Sequence, residues 1–212
     1  MPPLPIVLLP GLDGTGDLFE PLVKTAPHHL QPVVIRLPPL TKYAELFDAI
    51  RGQLPEGRFA IVGESFSGPL AMRVAGEYRD RVIGVVLVNS FTSPPMSSLM
   101  RFFPWSLLFA LPVPRWVIRR FFVGRDAPPA LVESVRAAVR QTPRRVLAGR
   151  MREVFNLPRD SPPLDVPLLV LHGSRDSMVH SREGVSIDAP HLVLQTNPVD
   201  AWREIGAFLR DD

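Results

Sequence analysis

Short apolar runs alternate along this chain with stretches whose apolar residues recur at helical spacing, and this alternation limits the fold more than any other feature. The apolar runs that predict buried strands cover residues 6–10, 33–37, 59–63, 82–88 and 168–171. Helical spacing falls between them, as in Leu70, Val74 and Tyr78. Strands that alternate with helices are typical of an α/β fold with a mostly parallel, doubly wound sheet, which is the fold class that we predict.

Residue types that commonly begin helices precede two of the predicted helices. Thr41 is the predicted N-cap of a helix whose apolar face runs from Tyr43 to Leu54. Asn197 is the predicted N-cap of the last helix, and Pro198 occupies the first position, where no N–H donor is needed. The chain is therefore expected to close with a helix packed on the sheet.

Residues 94–160 interrupt the alternation of strands and helices. Prolines divide this segment into three or four short predicted helices, and proline accounts for 25 of the 212 residues, about twice the usual share. We predict a single domain over residues 1–212, with a core of residues 1–93 and 161–212 and a helical cap inserted at about residues 94–160.

Charge is distributed unevenly along the chain. The formal net charge is +3, but residues 91–160 hold 12 arginines and four acidic residues, whereas the remainder holds 12 basic and 17 acidic residues. The arginines are either solvated residues on helix faces or a surface that attracts anionic substrates or carriers. Because no basic-aromatic motif accompanies them, we expect a small-molecule partner and no nucleic acid.

The chain lacks cysteine, which excludes disulfide scaffolds, thiol nucleophiles and cysteine-based metal sites. We expect no cofactor and no metal. No basic leader precedes the first predicted strand, and the uncharged stretch of residues 102–114 has 13 residues, whereas a membrane-spanning helix needs about 20. We therefore expect no membrane span and a cytoplasmic location, and the sequence does not indicate the oligomeric state.

The segment Gly63-Glu64-Ser65-Phe66-Ser67-Gly68 follows a predicted buried strand and begins a helix. In that context a Gly-x-Ser-x-small pattern is typical of a nucleophile elbow, a sharp turn that strains the serine backbone and lifts its hydroxyl above the sheet. Small residues are needed on both sides of the serine because the strand and the helix pass close together. The helix N-terminus also places backbone N–H groups near a developing negative charge. The alternative is a structural turn serine.

Together with this elbow, the sequence Leu9-Pro10-Gly11-Leu12-Asp13-Gly14 resembles the α/β-hydrolase superfamily, in particular its esterase, thioesterase and acyltransferase members. The resemblance covers most of the chain apart from the predicted cap. It implies that the backbone N–H groups of Leu12 and Phe66 form an oxyanion hole. The superfamily usually has His-Gly where this chain has Pro10-Gly11. A phosphate-binding turn is the alternative, although the loop fits neither the dinucleotide fingerprint nor the P-loop.

A serine hydroxyl needs a base, itself oriented by an acid, to act as a nucleophile at neutral pH. The resemblance places the acid at Asp176, after the predicted strand 168–171, and the base at His191, before the last helix. The order Ser65, Asp176, His191 is also the order of the α/β hydrolases. An earlier position that holds the acid in some members is occupied by Asn89, which suits the role less.

The other four histidines suit the role of the base less well. His28 and His29 fall in a polar connection and are expected to face solvent. His172 comes just before the predicted acid and is expected to be its neighbour. His180 becomes the candidate base only if the chain turns back after Asp176.

The segment between the predicted acid and the predicted base departs from the family. The family normally has a helix there, but only eight residues, 177–184, precede Val185, and a parallel crossover usually takes a dozen or more. Fully extended, they reach roughly 26 Å, enough to descend the edge of the sheet. A hairpin would instead carry His191 to the wrong end of the sheet.

These patterns favour a serine hydrolase that cleaves carboxylic ester or thioester bonds through an acyl-enzyme. Acyl transfer to an alcohol remains open. A second hypothesis is a catalytically silent scaffold that binds a lipid or protein partner through its basic cap. The resemblance disfavours a dehalogenase or an epoxide hydrolase, because those relatives carry aspartate at the position of Ser65. The sequence does not indicate the natural substrate or its acyl-chain length.

Large apolar residues are concentrated in the first part of the cap. We expect them to be buried, either by packing the cap on the core or by lining an acyl pocket over Ser65, since full burial stabilises each by about 1.5–3 kcal/mol. They are Phe102, Phe103, Trp105, Leu107, Leu108, Phe109 and Leu111. In the second case Arg115, Arg119 and Arg120 would face an anionic head group, so the predicted substrate is an anionic or amphiphilic ester.

Overall fold

A single parallel sheet forms the centre of the protein. The computed structural model describes residues 2–95, 97–158, 164–179 and 183–210. The strands in these residues are β1 (Leu4–Leu9), β2 (Leu30–Val34), β3 (Phe59–Glu64), β4 (Val82–Val88), β5 (Leu168–Gly173) and β6 (Val185–Ile187). Their order in the sheet is β2-β1-β3-β4-β5-β6, and every neighbouring pair is parallel. The predicted α/β-hydrolase fold with a doubly wound sheet is confirmed, and the sheet of the described residues is parallel throughout.

Helices cover both faces of the sheet. The α-helices of the described residues are α1 (Glu20–Lys24), α2 (Tyr43–Ile50), α3 (Gly68–Glu77), α4 (Trp105–Leu108), α5 (Arg115–Ile118), α6 (Pro129–Gln141), α7 (Arg144–Val154), α8 (Val193–Thr196) and α9 (Pro198–Phe208). Alternate residues of β1 point to opposite faces. Val7 and Leu9 pack in the apolar cluster that contains α2 and α3, whereas Ile6 and Leu8 pack in the cluster that contains α1, α8 and α9.

The short connection after β5 joins two parallel strands. Leu171, His172 and Gly173 of β5 pair with Val185, Ser186 and Ile187 of β6 in parallel register. The described residues of the connection, 174–179 and 183–184, contain no helix. The chain therefore does not form the hairpin that would carry His191 to the wrong end of the sheet, while His180 lies outside the described residues.

Two local predictions were wrong in their details. The second strand was predicted over residues 33–37, but β2 begins at Leu30 and includes Pro32, which an edge strand tolerates because one side of it has no partner. Thr41 does not cap α2. The residue before α2 is Lys42, whose side chain makes no capping bond, and the Tyr43 N–H donates to the Glu153 carboxylate of α7 at 3.2 Å instead.

The start of the last helix was predicted more closely. Asn197 precedes Pro198, the first residue of α9, as expected, but its side chain makes no capping hydrogen bond. Its backbone carbonyl accepts a hydrogen bond from the Ala201 N–H at 3.0 Å. The helix therefore begins with its ordinary backbone bond and with a proline that needs no acceptor.

The elements from α4 to α7 lie between β4 and β5 and pack at the carboxyl ends of the strands. A 3₁₀ turn (Ser98–Phe102) precedes α4, and a π-helical turn (Arg119–Val123) follows α5. This is more helical structure than the three or four short helices predicted, since α6 and α7 are 13 and 11 residues long. No helix among the described residues is long and apolar enough to cross a membrane.

Candidate active site

Ser65 lies at a sharp turn between β3 and α3. Its φ angle is 48°, in the left-handed region that residues other than glycine seldom adopt. The strand and the helix approach each other so closely that a Cβ atom at Gly63 would lie 2.8 Å from the Ser67 carbonyl oxygen. A side chain at Gly68 would overlap the Ser90 hydroxyl. The geometry is that of a nucleophile elbow, and it requires Gly68 as well as the small residues at positions 63 and 67.

Three side chains from separate parts of the sequence meet at this turn. The His191 Nε2 atom lies 3.0 Å from the Ser65 hydroxyl oxygen. The His191 Nδ1 atom lies 2.8 Å from the Asp176 carboxylate. The structure therefore brings Ser65, His191 and Asp176 together in the order expected for a nucleophile, a base and an acid.

The histidine and the carboxylate are buried, whereas the serine is half-buried. The side chain of Asp176 is completely buried and that of His191 is 3% exposed. The second oxygen of Asp176 accepts backbone N–H groups of Met178 at 2.7 Å and Val179 at 3.3 Å. These bonds satisfy the carboxylate away from water, so that its orientation toward the imidazole is fixed.

The imidazole is held from the other side by the cap. The Phe122 ring meets the His191 ring edge-on, with 5.9 Å between the ring centres. The Phe122 carbonyl accepts the Leu192 N–H at 2.8 Å. The cap therefore contacts the residue that the sequence predicts as the base.

Asn89 joins the ends of two strands to the loop that carries the histidine. It has a φ angle of 43° and is 2% exposed. Its side-chain oxygen accepts the Gly173 N–H at 2.8 Å, and its side-chain nitrogen donates to the carbonyls of Pro190 and His191. Asn89 therefore contacts the backbone of the predicted base rather than its imidazole, which agrees with its weaker suitability as the triad acid.

The loop of residues 10–16 passes next to Ser65. A Cβ atom at Gly11 would lie 3.9 Å from the Ser65 Cβ atom. The Gly14 N–H closes a turn on the Gly11 carbonyl at 3.1 Å. The Asp13 carboxylate accepts both the N–H and the hydroxyl of Thr15, at 2.8 and 2.6 Å. Leu12, the first predicted oxyanion residue, is therefore carried by a turn with its own internal hydrogen bonds.

Arg150 of α7 holds this loop in place. The side chain reaches three backbone carbonyls, those of Leu12 at 2.8 Å, Pro38 at 2.8 Å and Leu40 at 3.1 Å. Its guanidinium also lies over the Phe66 ring, 5.6 Å from the ring centre. Burial lowers the pKa of Arg150 to about 10 against the opposing effects of Asp13 and Tyr43, so the side chain remains charged at neutral pH.

Phe66, the second predicted oxyanion residue, is fixed by Tyr43. The Tyr43 hydroxyl donates to the Phe66 carbonyl at 2.8 Å, and the two rings stack with 4.9 Å between their centres. Burial raises the pKa of Tyr43, with a smaller contribution from Glu153, so the hydroxyl keeps the proton that it donates. Arg150 and Tyr43 thus contact both residues that the sequence predicts to stabilise an oxyanion.

A second carboxyl group lies directly behind the serine. Glu64 is 2% exposed, and its Oε1 atom has no hydrogen-bond partner among the described residues. Burial raises the pKa of Glu64 to about 8, and the nearby Asp13 adds to the increase, whereas Gln195 and the Gly11 backbone oppose it. Below that pH the Glu64 side chain is a neutral acid and places no negative charge beside the elbow.

A cleft of about 610 Å³ lies near the elbow, although none of Ser65, Asp176 and His191 belongs to its lining. Its lining includes Ser90, whose hydroxyl donates to the Ser65 carbonyl at 2.5 Å, and Ser177, which directly follows Asp176. Arg120 donates to the Ser177 hydroxyl at 3.3 Å. Of the three arginines expected at the mouth of the site, Arg120 is therefore the one with a contact at this cleft.

The other two arginines are engaged within the cap. Arg115 pairs with Glu133 at 2.7 Å. Arg119 donates to the carbonyls of Arg125 at 2.8 Å and Ala127 at 2.7 Å. Their contacts stabilise the packing of α5 against neighbouring segments of the cap.

The expected burial of the apolar residues in the first part of the cap was wrong. Trp105 is buried and Phe109 is half-buried, but the other five side chains are exposed. None of the seven lines the cleft beside the triad. Trp105 packs on Phe155 because α4 lies against α7, and this contact leaves the remaining side chains on the outer side.

Sequence reasoning missed the role of Arg150, although the sequence contains a signal for it. Val146 and Val154 lie four residues before and after Arg150, so the arginine occupies the apolar face of α7. A charged residue in that position is rarely buried without partners.

In the part of the chain that the structure describes, His, Asp and Glu side chains form no group of three that could hold a metal ion.

Comparison with known proteins identifies relatives of the chain. One matched relative is haloalkane dehalogenase 2 of Mycobacterium tuberculosis, which is 31% identical over 123 residues, or 57% of this chain and 43% of that protein. The match thus spans less than half the length of the curated relative. An esterase of Thermogutta terrifontis has a similar structure, with a TM-score of 0.79 at 19% identity over 99% of this chain and 90% of that one.

The enol-lactonase of Burkholderia xenovorans has the same fold, with a TM-score of 0.77 at 19% identity over 99% of this chain and 92% of that one. At such identities the likeness shows the fold alone. The sequence profile described as the alpha/beta hydrolase family matches residues 6–205, nearly the whole chain. The chain belongs to the alpha/beta hydrolase family.

Proposed function

We propose that the protein is a serine hydrolase that cleaves carboxylic ester or thioester bonds through an acyl-enzyme. Ser65 is the nucleophile, His191 the general base and Asp176 the acid that orients the base. The observation that carries the proposal is the pair of contacts at 3.0 and 2.8 Å that links these three side chains. They meet at the carboxyl ends of parallel strands, where sheets of this kind place their sites.

The chemistry proceeds in two halves. The Ser65 hydroxyl oxygen attacks the carbonyl carbon of the substrate while the His191 Nε2 atom takes the hydroxyl proton. The tetrahedral intermediate then expels the alcohol or thiol, which receives that proton from His191. In the second half, water gives its proton to His191 and attacks the acyl-enzyme, and the acid product leaves with Ser65 restored.

The backbone N–H groups of Leu12 and Phe66 are proposed to stabilise the negative oxygen of the intermediate. Such donors are effective because they are already oriented before the charge develops. The contacts of Arg150 with the Leu12 carbonyl and of Tyr43 with the Phe66 carbonyl support this role. Both residues are therefore held through their carbonyl groups by partners that come from outside the elbow.

The chemistry of the nucleophile argues against haloalkane cleavage, the activity named for the dehalogenase relative. A serine that displaced a halide would be left as an alkyl ether. An ether has no carbonyl carbon for water to attack, so the enzyme would not turn over. An ester of Ser65 has that carbonyl and is hydrolysed by the same base, which favours an acyl substrate.

The cap favours an anionic or amphiphilic acyl substrate. Arg120 is exposed and contacts Ser177 at the cleft. The segment 91–160, to which Arg120 belongs, holds 12 arginines and four acidic residues, so its net charge is positive. A substrate with a carboxylate or phosphate near its ester would therefore be attracted to this side of the molecule.

The hypothesis of a catalytically silent scaffold is no longer supported by the observation that suggested it. It was suggested by the short connection of residues 177–184, but β6 runs parallel to β5 and the imidazole contacts Ser65. Acyl transfer shares the acyl-enzyme with hydrolysis and differs only in the acceptor, so it remains the second candidate.

A fluorophosphonate probe tests the proposed nucleophile. We expect the folded protein to be labelled and the variant Ser65→Ala to be unlabelled. Ser134→Ala is the matched control, since Ser134 is an exposed serine on α6 that donates to the Ala130 carbonyl. Absence of label on the folded wild-type protein, or label that persists in Ser65→Ala, would contradict the proposal.

A substrate panel then separates the acyl classes. We expect turnover of nitrophenyl esters, an acyl thioester and a lactone, with no halide release from a haloalkane. An added alcohol that yields a new ester in place of the acid would identify acyl transfer. Turnover of the haloalkane by the Ser65→Ala variant would contradict the assignment of Ser65.

A further inference from the structure

The first part of the cap carries an exposed apolar surface. We define the cap surface as seven side chains that are each between 40% and 73% exposed. They are Leu99, Phe102, Phe103, Leu107, Leu108, Leu111 and Trp116. All of them belong to the 3₁₀ turn before α4, to α4, to α5 and to the residues between these elements. Where large exposed apolar side chains lie together on a protein surface, they usually mark a binding site.

The charges of the same segment have one sign. Residues 97–125 contain five arginines and no acidic residue. Arg101 lies within the surface, with its guanidinium 4.8 Å from the centre of the Phe102 ring. Arg115 directly precedes Trp116 of the surface and is exposed, although it pairs with Glu133. The surface therefore combines aromatic and aliphatic side chains with a positive potential.

This combination selects among the partners that could cover the surface. A second copy of the chain would bring its own Arg101 and Arg115 into the same interface, where the like charges would repel. A bilayer with anionic headgroups provides both an apolar interior and phosphate groups that arginine binds well. Exposed tryptophan, phenylalanine and leucine beside arginine are typical of protein surfaces that enter the headgroup region.

We propose that the cap surface docks the protein on an anionic lipid bilayer. The apolar side chains enter the boundary between headgroups and acyl chains, and Arg101 and Arg115 contact lipid phosphates. Docking depends on the outer side of the cap and not on the triad, so it can be tested without any turnover. The proposal is independent of the proposed esterase activity.

Tryptophan fluorescence provides a built-in probe of docking. Trp116 is 67% exposed, whereas Trp105 and Trp202 are buried. These are the three tryptophans of the chain. A blue shift of emission on addition of vesicles therefore reports Trp116 as it leaves water. Vesicles of ether-linked phosphatidylglycerol serve as the anionic surface and ether-linked phosphatidylcholine as the neutral one, because an esterase does not cleave either lipid.

Three variants test whether binding to vesicles depends on the cap surface or on any exposed apolar side chain. The double variant F102S/L107S removes two exposed apolar side chains, and Arg101→Gln removes the charge among them. Val199→Ser is the matched control, because Val199 on α9 is 66% exposed but lies outside the cap. Since all four residues are exposed, we expect these variants to fold as the wild type does, which circular dichroism checks.

Co-sedimentation with the two kinds of vesicle gives the decisive comparison. We expect the wild-type protein to bind phosphatidylglycerol vesicles. F102S/L107S is expected to bind at least about tenfold more weakly, because two apolar side chains no longer move from water into the bilayer. Arg101→Gln is also expected to bind more weakly than the wild type. Binding is also expected to weaken as salt screens the charges, and Val199→Ser is expected to bind like the wild type.

Several results would overturn the proposal. The first is that the protein binds neither kind of vesicle. The second is that Val199→Ser loses as much binding as F102S/L107S. The third is that the protein binds both lipids and that salt does not change this binding. A concentration-dependent dimer that F102S/L107S abolishes, in a protein that does not bind vesicles, would identify a second copy as the partner instead.

Discussion

Replacement of Arg150 by methionine tests whether a side chain of the cap organises the oxyanion loop. Methionine fills a similar length of buried space but takes the arginine donor away from the carbonyls of Leu12 and Leu40. The Pro38 carbonyl also loses this donor but still accepts the Leu40 N–H. A buried polar group without a partner costs about 1–3 kcal/mol. Part of the cost of the unpartnered carbonyls is offset because the charged guanidinium no longer has to be buried. We expect the free energy of unfolding to fall by about 3–5 kcal/mol.

The expected effect of Arg150→Met on catalysis is larger than instability alone would produce. Leu12 loses the anchor of its carbonyl group, and loss of one oxyanion donor typically lowers kcat by about 10²–10³. Because the donor is loosened and not deleted, we expect kcat to fall by about tenfold to a hundredfold with little change in KM. The assay is turnover of a nitrophenyl ester well below the unfolding temperature of each variant, with urea unfolding measured in parallel.

Three further variants separate positioning from general destabilisation. Arg145→Met makes the same substitution at an exposed position of α7 and is expected to change neither property. Val146→Ala removes a buried side chain of α7 without touching the loop, so it lowers stability but leaves kcat unchanged. Arg150→Lys keeps the charge and is expected to restore part of kcat. A folded Arg150→Met protein with kcat within twofold of the wild type would refute the reasoning.

Four other predictions follow from the same geometry. Because the folded-state pKa of Glu64 is raised to about 8, the folded protein holds a proton that the unfolded chain loses near pH 4.5, so the free energy of unfolding falls as pH rises between these values, by at most about 1.4 kcal/mol per pH unit. Urea unfolding at several pH values checks this, and a Glu64→Gln variant with the same pH dependence as the wild type would contradict it. Asp176→Asn is expected to lower kcat by about 10⁴ without unfolding the protein, since an amide favours the wrong imidazole tautomer; single-turnover kinetics measures the loss, and near-normal activity would exclude Asp176 as the acid. Asn89→Asp places a carboxylate against the carbonyls of Pro190 and His191, so we expect a lower melting temperature than for Asn89→Ala, and the reverse order would be inconsistent with the hydrogen-bond roles described. Arg120→Gln is expected to raise KM for an anionic ester by about two- to fivefold at low salt, as for an exposed ion pair, and to leave a neutral ester unaffected; equal effects on both substrates would show that Arg120 does not attract the charge.

The sheet could be predicted because its strands are apolar and buried on both faces. β4 matches the predicted residues 82–88, and β3 extends one residue beyond the prediction, to Glu64. The start of β2 was missed because Pro32 suggests a break, and the sequence does not show that this strand lies at an edge. The order of Ser65, Asp176 and His191 along the chain was informative because parallel strands bring their carboxyl ends to one side of the sheet.

The errors concern contacts between residues that are far apart in sequence. Glu153 accepts the N–H of Tyr43 across 110 positions, and no local pattern indicates this. An apolar side chain also does not indicate whether it faces the core or a partner. The exposed residues of the cap surface were therefore predicted to be buried, because burial is the more common outcome for such side chains.

The cap supplies contacts to the loop of residues 10–16 and to His191, which changes how its role is understood. Arg150 binds the Leu12 carbonyl, Thr142 at the end of α6 donates to the Asp13 carbonyl at 2.8 Å, and Phe122 packs on His191. A segment that only covered the site could move as a lid without disturbing the catalytic groups. Here a movement of α7 away from the core would break the buried bonds of Arg150 and release the oxyanion loop. The cap is therefore part of the scaffold that positions the candidate catalytic groups, and the cap surface on its outer side is left available for a partner.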